Sequence, residues 1–304
     1  MRAPGAFLLV AAALLFGGCG SSDEPAVRAP AAAAPAATAT TTAAAAAAAT
    51  TPAGATAGAC AAGAPAPPSK VPGAPLDTIL RVPPAVRSEP APLVLALHFA
   101  SGSGREMEQT TRLTPEARRS GFAVAYPSAT SGGVWAGADE IGAVDRTLAA
   151  IRRVACIDAR RIYLTGISNG GGMANLLACR FPDRFAGVVL FAPAVSGIGD
   201  CRPSRPISML EIHGSADPLV PYGPIPAFVA AWARLDGCAA GPSSARVRPG
   251  VTRRRWRGCR GGAAVEHLRL AGGRHIELLP ELRAAGVEPA RAAWRFLAPH
   301  RLRG

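Results

Sequence analysis

From residue 76 onward, short apolar runs alternate with longer segments in which apolar residues recur every three or four positions. Short apolar runs are typical of buried strands, and recurrence at three or four positions is typical of helices with one buried face. The predicted strands span 76–82, 93–98, 122–126, 161–165, 187–191, 207–213 and 265–270. The predicted helices include 107–119, 140–154, 173–181 and 289–297. This alternation predicts the α/β class, with a mostly parallel central sheet and helices on both faces.

Ser168 lies between the predicted strand 161–165 and the predicted helix 173–181, in the pattern G-x-S-x-G. A strand that turns sharply into a helix is a nucleophile elbow, which exposes its serine at the helix N-terminus. Small residues at Gly166 and Gly170 allow the two elements to approach each other. The free N–H groups and the dipole of the helix favour negative charge at this point. We therefore interpret Ser168 as a nucleophile, the alternative being a helix-capping serine in a glycine-rich turn.

A nucleophilic serine needs a histidine base and an acid that orients it, and at nucleophile elbows these follow in the order Ser, Asp or Glu, His. Asp217 follows the predicted strand 207–213, and His275 follows 265–270 after a glycine turn. Both therefore belong to the carboxyl edge of the sheet, where open α/β sheets place their sites. The other histidines lie at strand ends, inside a strand or in the C-terminal tail: His98, His213, His267 and His300. We interpret His275 as the base and Asp217 as the acid, the alternatives being a solvated loop histidine and an Asx turn.

Four motifs along the chain resemble those of one known family: ID before RIY at 157–163, SNGG at 168–171, HGSADPLVPY at 213–222 and GGRH at 272–275. The chain is similar to the secreted polyhydroxybutyrate depolymerases and feruloyl-esterase-like α/β-hydrolases, a group that includes mycobacterial lipoprotein esterases. The resemblance covers residues 74–298 in order and without large insertions. It implies an α/β-hydrolase fold without a large lid domain, with Ser168 as nucleophile, Asp217 as acid and His275 as base.

Two backbone N–H groups are expected to bind the oxyanion of the reaction. One belongs to Asn169, directly after the nucleophile, and by position in the loop after strand 93–98 the other belongs to Ala100. Phe99 is the other candidate for the second donor, and members of the family commonly have glycine there. If that place requires a positive φ, phenylalanine is strained. Phe99 and Trp135 are also candidates to line the substrate pocket, Trp135 being alternatively a surface or core aromatic.

The N-terminal part of the chain differs in composition from the rest. A basic residue precedes an apolar run at 7–16 that is too short to span a bilayer, and a sequence resembling a bacterial lipobox ends at Cys19. We therefore predict a lipoprotein signal peptide at 1–18, an Ala/Thr/Pro-rich flexible tether at 19–59 that begins with a lipidated Cys19, and a catalytic domain at 60–304. Ordinary secretory cleavage is the alternative. Either outcome locates the protein in the cell envelope or outside the cell, and the lipid anchor makes the membrane a partner.

Of the seven cysteines, six remain once Cys19 is set apart, an even number that suits three disulfides in an oxidising compartment. The family resemblance, together with locality in the chain, implies these pairs: Cys179–Cys201, Cys238–Cys259 and Cys60–Cys156. The sequence has no C-x-x-C pair and no cluster of histidines and cysteines. We therefore expect no metal site and no cofactor.

The formal net charge is +13, and the residues before Cys60 contribute two arginines and two acids, so the excess lies in the predicted catalytic domain. Its densest part is RRRWR at 253–257, which fits either a solvated surface strand or loop or a nucleic-acid site. The signal peptide, the tether and the ordered catalytic residues favour the first interpretation. We expect no nucleic-acid partner, and we expect attraction to anionic envelope surfaces instead.

These features together predict a serine carboxylic-ester hydrolase that forms an acyl-enzyme on Ser168. Its partner is an ester substrate, either a small molecule or a polymer, and the chain is expected to be a monomer. The alternative is a lipid-anchored envelope protein that binds ligands through a hydrolase fold without catalysis. Labelling by a fluorophosphonate separates the two, because only an activated serine reacts.

Overall fold

The structure is a computed structural model that describes residues 57–61, 65–130, 132–195, 197 and 199–303. Cys19, the predicted signal peptide and nearly all of the predicted tether lie outside these residues. Within the described part of the chain, no helix is long and apolar enough to cross a membrane.

The described residues form nine strands in one sheet: β1 Thr78–Arg81, β2 Ala91–Leu97, β3 Ala123–Pro127, β4 Ile157–Ile167, β5 Gly187–Phe191, β6 Ser208–Gly214, β7 Ser243–Arg248, β8 Val251–Trp256 and β9 Val265–Leu270. Their order across the sheet is β1-β3-β2-β4-β5-β6-β9-β8-β7. The strands from β3 to β9 in this order pair in parallel. Antiparallel pairs occur at the edges, where β1 joins β3, β8 joins β9 and β7 joins β8. The predicted mostly parallel sheet is confirmed.

All seven predicted strands are present, and the sheet gains β7 and β8 beyond them. The basic run at 253–257 falls largely in β8, which agrees with the surface-strand interpretation. β7 was not predicted, because its side chains are almost all exposed and therefore lack the apolar alternation of a half-buried strand. β7 is stabilised by its hydrogen-bonded pairing with β8 at the sheet edge and not by burial of its side chains.

Seven α-helices surround the sheet within the described residues: α1 Gly104–Thr111, α2 Leu113–Ser120, α3 Gly137–Val154, α4 Asn169–Arg180, α5 Ile225–Leu235, α6 Leu278–Ala284 and α7 Pro289–Leu297. On one face, α3, α4 and α5 pack in a cluster with Leu93, Leu95 and Leu97 of β2. On the other face, α1, α2, α6 and α7 pack in a cluster with Val94 and Ala96 of the same strand. Both faces of the central strand are therefore buried, as its continuous apolar sequence requires.

The prediction of a single helix over 107–119 is wrong, because two helices, α1 and α2, meet there at Arg112. Arg112 has a φ of 56°, in the left-handed region, and its N–H donates to the carbonyl of Glu108 at 3.3 Å. Met107 before the break and Leu113 after it both pack in the same apolar cluster. Since the apolar pattern continues across the turn, periodicity alone does not reveal it.

Three disulfides connect the described residues: Cys60–Cys156, Cys179–Cys201 and Cys238–Cys259. Each joins a pair that the family resemblance implied. Cys179 lies in the last turn of α4, so its bond ties the helix that follows Ser168 to the segment before β6. Disulfides of this kind persist in oxidising compartments, which supports export from the cytoplasm.

Asp236 is a carboxyl group buried at the end of α5 without a matching cation in hydrogen-bond contact. Its Oδ1 accepts a hydrogen bond from the N–H of Ile207 at 3.2 Å, whereas Oδ2 has no hydrogen-bond partner among the described residues. Burial raises the pKa of Asp236 to about 7, although the Ile207 hydrogen bond and the charges of Arg260 and Arg205 act in the opposite direction. The folded protein therefore holds this proton more tightly than the unfolded chain, where an aspartate has a pKa of about 3.9.

The substitution Asp236→Asn is expected to raise the free energy of unfolding at pH 8 by about 1–3 kcal/mol, because it removes a buried charge. The wild-type protein should lose stability as pH rises between about 4 and 7, and the variant should lose less over the same range. Urea unfolding at pH 5 and pH 8 measures both effects. Asp200→Asn, which changes an exposed carboxylate, is the control, and an unchanged pH dependence in Asp236→Asn would contradict the expectation.

Candidate active site

Ser168 forms a sharp turn between the end of β4 and the start of α4. Its φ of 55° and ψ of −119° lie in a strained region of the backbone map. The turn is held by hydrogen bonds on both sides of the residue. The Ser168 N–H donates to the carbonyl of Phe191, and its carbonyl accepts from the N–H groups of Gly172 and Ala194, each at 2.9 Å. This is the geometry that a nucleophile elbow requires.

Two glycines make the close approach at this turn possible. A Cβ atom at Gly166 would lie 2.2 Å from the carbonyl oxygen of Gly170, so β4 and α4 touch through their backbones. A Cβ atom at Gly170 would lie 2.2 Å from the carbonyl oxygen of His98, so α4 also touches the end of β2. Distances of this size exclude any side chain at either position. The small residues beside Ser168 therefore have the role predicted for them.

Asp217 and His275 lie in loops at the same carboxyl edge of the sheet, after β6 and β9. These loops touch through glycines, since a Cβ atom at Gly214 would lie 2.2 Å from the carbonyl oxygen of Gly273. The contact brings Nδ1 of His275 to 2.6 Å from Oδ2 of Asp217. Because ionised aspartate is an acceptor only, His275 carries its proton on Nδ1 and leaves Nε2 able to accept another.

The Asp217 carboxylate is completely buried and has a second set of partners through Oδ1. This oxygen accepts hydrogen bonds from the N–H groups of Leu219 at 2.9 Å and Val220 at 2.8 Å. The turn is thus an Asx turn, the alternative considered for Asp217, and it also orients the carboxylate toward His275. The two interpretations of Asp217 are compatible, because each uses a different oxygen.

His213 is a neighbour of Asp217, and both of its ring nitrogens lie close to hydrogen-bond acceptors. Nδ1 is 2.8 Å from Oε1 of Glu211, and Nε2 is 2.9 Å from the carbonyl oxygen of Val220 and 3.4 Å from Oδ2 of Asp217. Carbonyl and ionised carboxylate oxygens only accept, so with Glu211 ionised both ring nitrogens donate, and these partners favour the imidazolium form of His213. Burial alone would lower the pKa of His213, but the hydrogen bond and charge of Glu211 raise it above its ordinary value, assisted by Val220 and Asp217.

Glu211 supplies the negative charge that this buried imidazolium requires. Its other oxygen, Oε2, is 2.5 Å from Nδ1 of His267, whose Nε2 is 2.9 Å from the hydroxyl of Tyr222. A neutral His267 satisfies both contacts when Nδ1 donates to Glu211 and Nε2 accepts from Tyr222. Burial raises the pKa of Glu211, but the hydrogen bonds from His213 and His267 outweigh it and lower that pKa overall. A buried ion pair, Glu211 with His213, therefore supports the loop that carries Asp217.

The loop after β2, where the second oxyanion donor is predicted, has its positive φ at Ser101 (60°) and not at Phe99. Phe99 therefore does not have the positive φ that would strain its backbone. The N–H of Ser101 donates to the carbonyl of Gly133 at 2.9 Å, and that of Gly102 donates to the carbonyl of Phe99 at 3.0 Å. Phe99 is half-buried and Ala100 is exposed, so the Ala100 backbone can be reached from solvent.

Trp135 joins this loop to the elbow. Its indole N–H donates to the carbonyl of His98 at 2.8 Å, and its backbone exchanges two hydrogen bonds with the side-chain amide of Asn169, at 2.7 and 3.2 Å. Trp135 is only 3 % exposed, which agrees with the core-aromatic alternative. The Asn169 side chain is thus occupied by Trp135, while its backbone N–H lies in the first turn of α4, where helix N–H groups lack helical partners.

Sequence reasoning missed Glu211 and assigned no chemistry to His267 or Tyr222. A signal was present, because Glu211 is an acid in the middle of an otherwise apolar strand, two residues before His213. Only the pairing of β6 with β9, which sets Glu211 beside His267, shows what the acid binds. Among the described residues, no group of three or more His, Cys, Asp or Glu side chains could hold a metal ion.

The sheet and the turn at Ser168 define an α/β hydrolase fold. Within that class, residues 76–219 match the family model "Esterase PHB depolymerase", which confirms the predicted family resemblance. Feruloyl esterase B of Piromyces equi is 30% identical over 217 residues, covering 62% of this chain and 40% of that protein. A bifunctional acetylxylan esterase/xylanase of Neocallimastix patriciarum is 27% identical over 199 residues, covering 61% of this chain and 29% of that protein.

The chain spans less than half the length of these two curated relatives. A solved acetyl xylan esterase from Aspergillus awamori superimposes with a TM-score of 0.56 at 18% identity, covering 73% of this chain and 97% of that one. At this identity the superposition establishes the fold and nothing further. The α/β-hydrolase architecture predicted from the sequence is therefore confirmed.

The substitution Glu211→Gln is expected to lower the free energy of unfolding by about 3 kcal/mol or more, because it leaves the buried His213 without its counter-charge. His213 has a raised pKa in the folded state, so its contribution is complete below its unfolded pKa of about 6.5 and is lost as pH rises further. The free energy of unfolding lost in Glu211→Gln should therefore be larger at pH 5.5 than at pH 8.5. Urea unfolding at the two pH values measures it.

Asp77→Asn is the control, because Asp77 pairs with Lys70 and both side chains are exposed. Exposed pairs contribute about 1 kcal/mol or less. Equal losses in Glu211→Gln and Asp77→Asn, or a loss in Glu211→Gln that grows with pH, would show that His213 is not an imidazolium.

Proposed function

We propose that the protein is a serine carboxylic-ester hydrolase with Ser168 as nucleophile, His275 as base and Asp217 as the acid that orients the base. The observation that carries the proposal is the 2.6 Å hydrogen bond between His275 and Asp217. It joins loops at the same sheet edge as the strained turn of Ser168. Sequence order and the names of the curated relatives, a feruloyl esterase and an acetylxylan esterase, support the same reaction class.

The proposed reaction proceeds in two acyl transfers. Nε2 of His275 takes the proton of the Ser168 hydroxyl while Oγ attacks the ester carbonyl, and the imidazolium then gives that proton to the departing alcohol. Water repeats the sequence on the acyl-enzyme, which releases the acid and restores Ser168. Asp217 remains ionised throughout, because it stabilises the His275 imidazolium that forms in each step.

In this proposal, backbone N–H groups of Asn169 and Ala100 bind the oxyanion. The Asn169 N–H is favoured by its place at the start of α4, where the helix dipole attracts negative charge. Ala100 is favoured by its exposure and by the hydrogen bond from the Ser101 N–H to Gly133, which limits the movement of the loop. The half-buried ring of Phe99 borders the same loop and is a candidate contact for the substrate.

Two apolar side chains next to the candidate catalytic residues are strongly exposed: Leu219 (63%) and Ile276 (79%). Leu219 follows Asp217 by two residues, and Ile276 directly follows His275. Exposed apolar side chains beside a polar centre are typical of a binding site for an apolar group. We therefore include Leu219 and Ile276 in the proposed site, as contacts for the acyl or alcohol part of an ester.

The proposal extends to location and organisation. A signal peptide at 1–18, lipidation of Cys19 and a tether at 19–59 would hold the catalytic domain, residues 60–304, in the cell envelope as a monomer. The three disulfides support export. A lipidated N-terminus would confine the enzyme to esters within reach of its tether.

Ser168→Ala is expected to lower hydrolysis of short p-nitrophenyl esters at least about a thousandfold, because no other group can form the acyl-enzyme. The same substitution should abolish labelling by a fluorophosphonate while leaving the circular dichroism unchanged. Ser204→Ala, at an exposed serine before β6, is the control and should retain both properties. Undiminished turnover in Ser168→Ala, or a wild-type protein that the probe does not label, would refute the proposal and favour a binding protein.

The double substitution Leu219→Ser and Ile276→Ser is expected to raise KM for aromatic or long-chain esters about three- to tenfold, because each removes apolar contact area. Hydrolysis of p-nitrophenyl acetate should change less, since acetate offers little apolar surface. Steady-state kinetics on an ester series measures the difference. An equal effect on all chain lengths would show that the two side chains act on the catalytic loops and not on the substrate.

A further inference from the structure

A cavity of about 860 Å³ lies between strands β7 to β9 and α7, and arginines dominate its wall. We call it the arginine groove, after the six arginines that line it: Arg248, Arg253, Arg255, Arg257, Arg291 and Arg295. Its volume is within the range of ligand sites, roughly 300–1,000 Å³. It is separate from the candidate active site, whose three catalytic residues do not line it.

The arginines form two rows because of the periods of the two elements that carry them. Arg253, Arg255 and Arg257 occupy alternate positions along and just beyond β8, so they share one side of the strand. Arg291 and Arg295 are four residues apart on α7, so they share one side of the helix. Apolar residues such as Leu268 and Phe296 also line the cavity, but they are buried, being 6 % and 8 % exposed. The groove therefore presents mainly arginine side chains, one row on β8 and one on α7.

The carboxylates that line the groove are too few to neutralise its arginines. Two carboxylates line it, Glu266 and Glu288, and Glu266 already pairs with Arg255 at 2.6 Å. Arg253, Arg257 and Arg295 have no carboxylate within ion-pair distance among the described residues. Like charges held side by side repel each other.

On the opposite side of β8, an arginine does have a partner within the protein. Arg254 lies with its guanidinium 5.3 Å from the ring centre of Trp256, a cation–π contact within the protein. The unpaired arginines of the groove have no such contact in the described structure and point to a ligand that brings several negative charges.

We propose that the arginine groove binds an acidic polysaccharide, a sugar polymer that carries carboxylate groups. A guanidinium pairs with a carboxylate through two parallel hydrogen bonds, which favours arginine over lysine at such sites. Two arginine rows, one on β8 and one on α7, can contact carboxylates that recur along one sugar chain. Binding here is additional to ester hydrolysis and does not depend on Ser168.

Two other polyanions fit the groove less well. Single-stranded nucleic acid binds through bases stacked on accessible aromatic rings, but Trp256 and Phe296 are buried, being 5 % and 8 % exposed. An anionic bilayer is flat and cannot enter a concave groove, and membrane contact favours protruding apolar side chains. The large apolar side chains that protrude from the described structure, Leu219 and Ile276, lie at the candidate active site instead.

The test is calorimetric binding of polygalacturonate to the full chain, with dextran as the uncharged polymer. The wild-type protein is expected to bind polygalacturonate and not dextran, with affinity that falls as salt is raised. The double substitution Arg257→Gln and Arg295→Gln, one from each row, should weaken binding at least tenfold. Both side chains are exposed, so the fold should tolerate the change.

The matched control is the double substitution Arg153→Gln and Arg180→Gln, which removes the same charge from exposed arginines on α3 and α4, the helices that pack on the opposite face of the sheet from α7. This control should bind within about twofold of wild type, because the sheet separates these charges from the groove and salt screens them. Binding of polygalacturonate by Ser168→Ala should equal that of wild type. Undiminished ester hydrolysis by Ser168→Ala would thus overturn the proposed function and leave the groove proposal intact.

Three results would overturn the groove proposal. The first is no binding of polygalacturonate by the wild-type protein. The second is equal weakening in both arginine doubles, which would mean that net charge alone is responsible. The third is tighter binding of single-stranded DNA, or of phosphatidylglycerol vesicles, than of polygalacturonate under the same salt conditions.

Discussion

The backbone contact around Ser168 is the constraint on which the rest of the site depends. Gly166 and Gly170 let β4, α4 and the end of β2 approach so closely that no side chain fits between them. This contact sets the strained turn at Ser168, and hydrogen bonds to Phe191 and Ala194 maintain the turn from the neighbouring strand. The same contact brings the loop after β2 against the start of α4. The candidate nucleophile and its candidate oxyanion donors are therefore positioned by one close packing of main chain.

A second organising principle is that the charges buried beneath the candidate site are matched, whereas the arginines of the exposed groove are only partly matched. Below the candidate site, Glu211 is completely buried and is compensated by His213, with His267 filling its remaining oxygen. Leaving any of these ions unpaired in the interior would cost several kcal/mol. At the surface, where water solvates guanidinium groups, the arginine groove keeps an excess of positive charge. With six arginines and two glutamates, the groove holds a net charge of +4 out of the +13 of the chain.

The sequence predicted correctly that Ser168, Asp217 and His275 follow strands at one edge of the sheet, since they lie after β4, β6 and β9, whose neighbours pair in parallel. Their catalytic roles stay a prediction. The sequence predicted less well wherever the deciding contact joins distant segments. The break at Arg112 is hidden because the apolar pattern continues across it. The positive φ falls on Ser101 instead of Phe99, because the loop after β2 is shaped by its hydrogen bond to Gly133.

By itself, the sequence determined the fold class, the order of the candidate catalytic residues and the glycines that their turns require, since these depend on local periodicity and on close backbone approach. The tertiary structure alone decided which polar groups meet. Pairing of β6 with β9 sets Glu211 beside His267, and the loop after β6 returns Val220 and Asp217 to His213. Proton positions follow from those partners. The proton positions on His213 and His267 could not be read from the sequence alone, because the set of partners is completed by the returning loop at Val220 and by the pairing of β6 with β9.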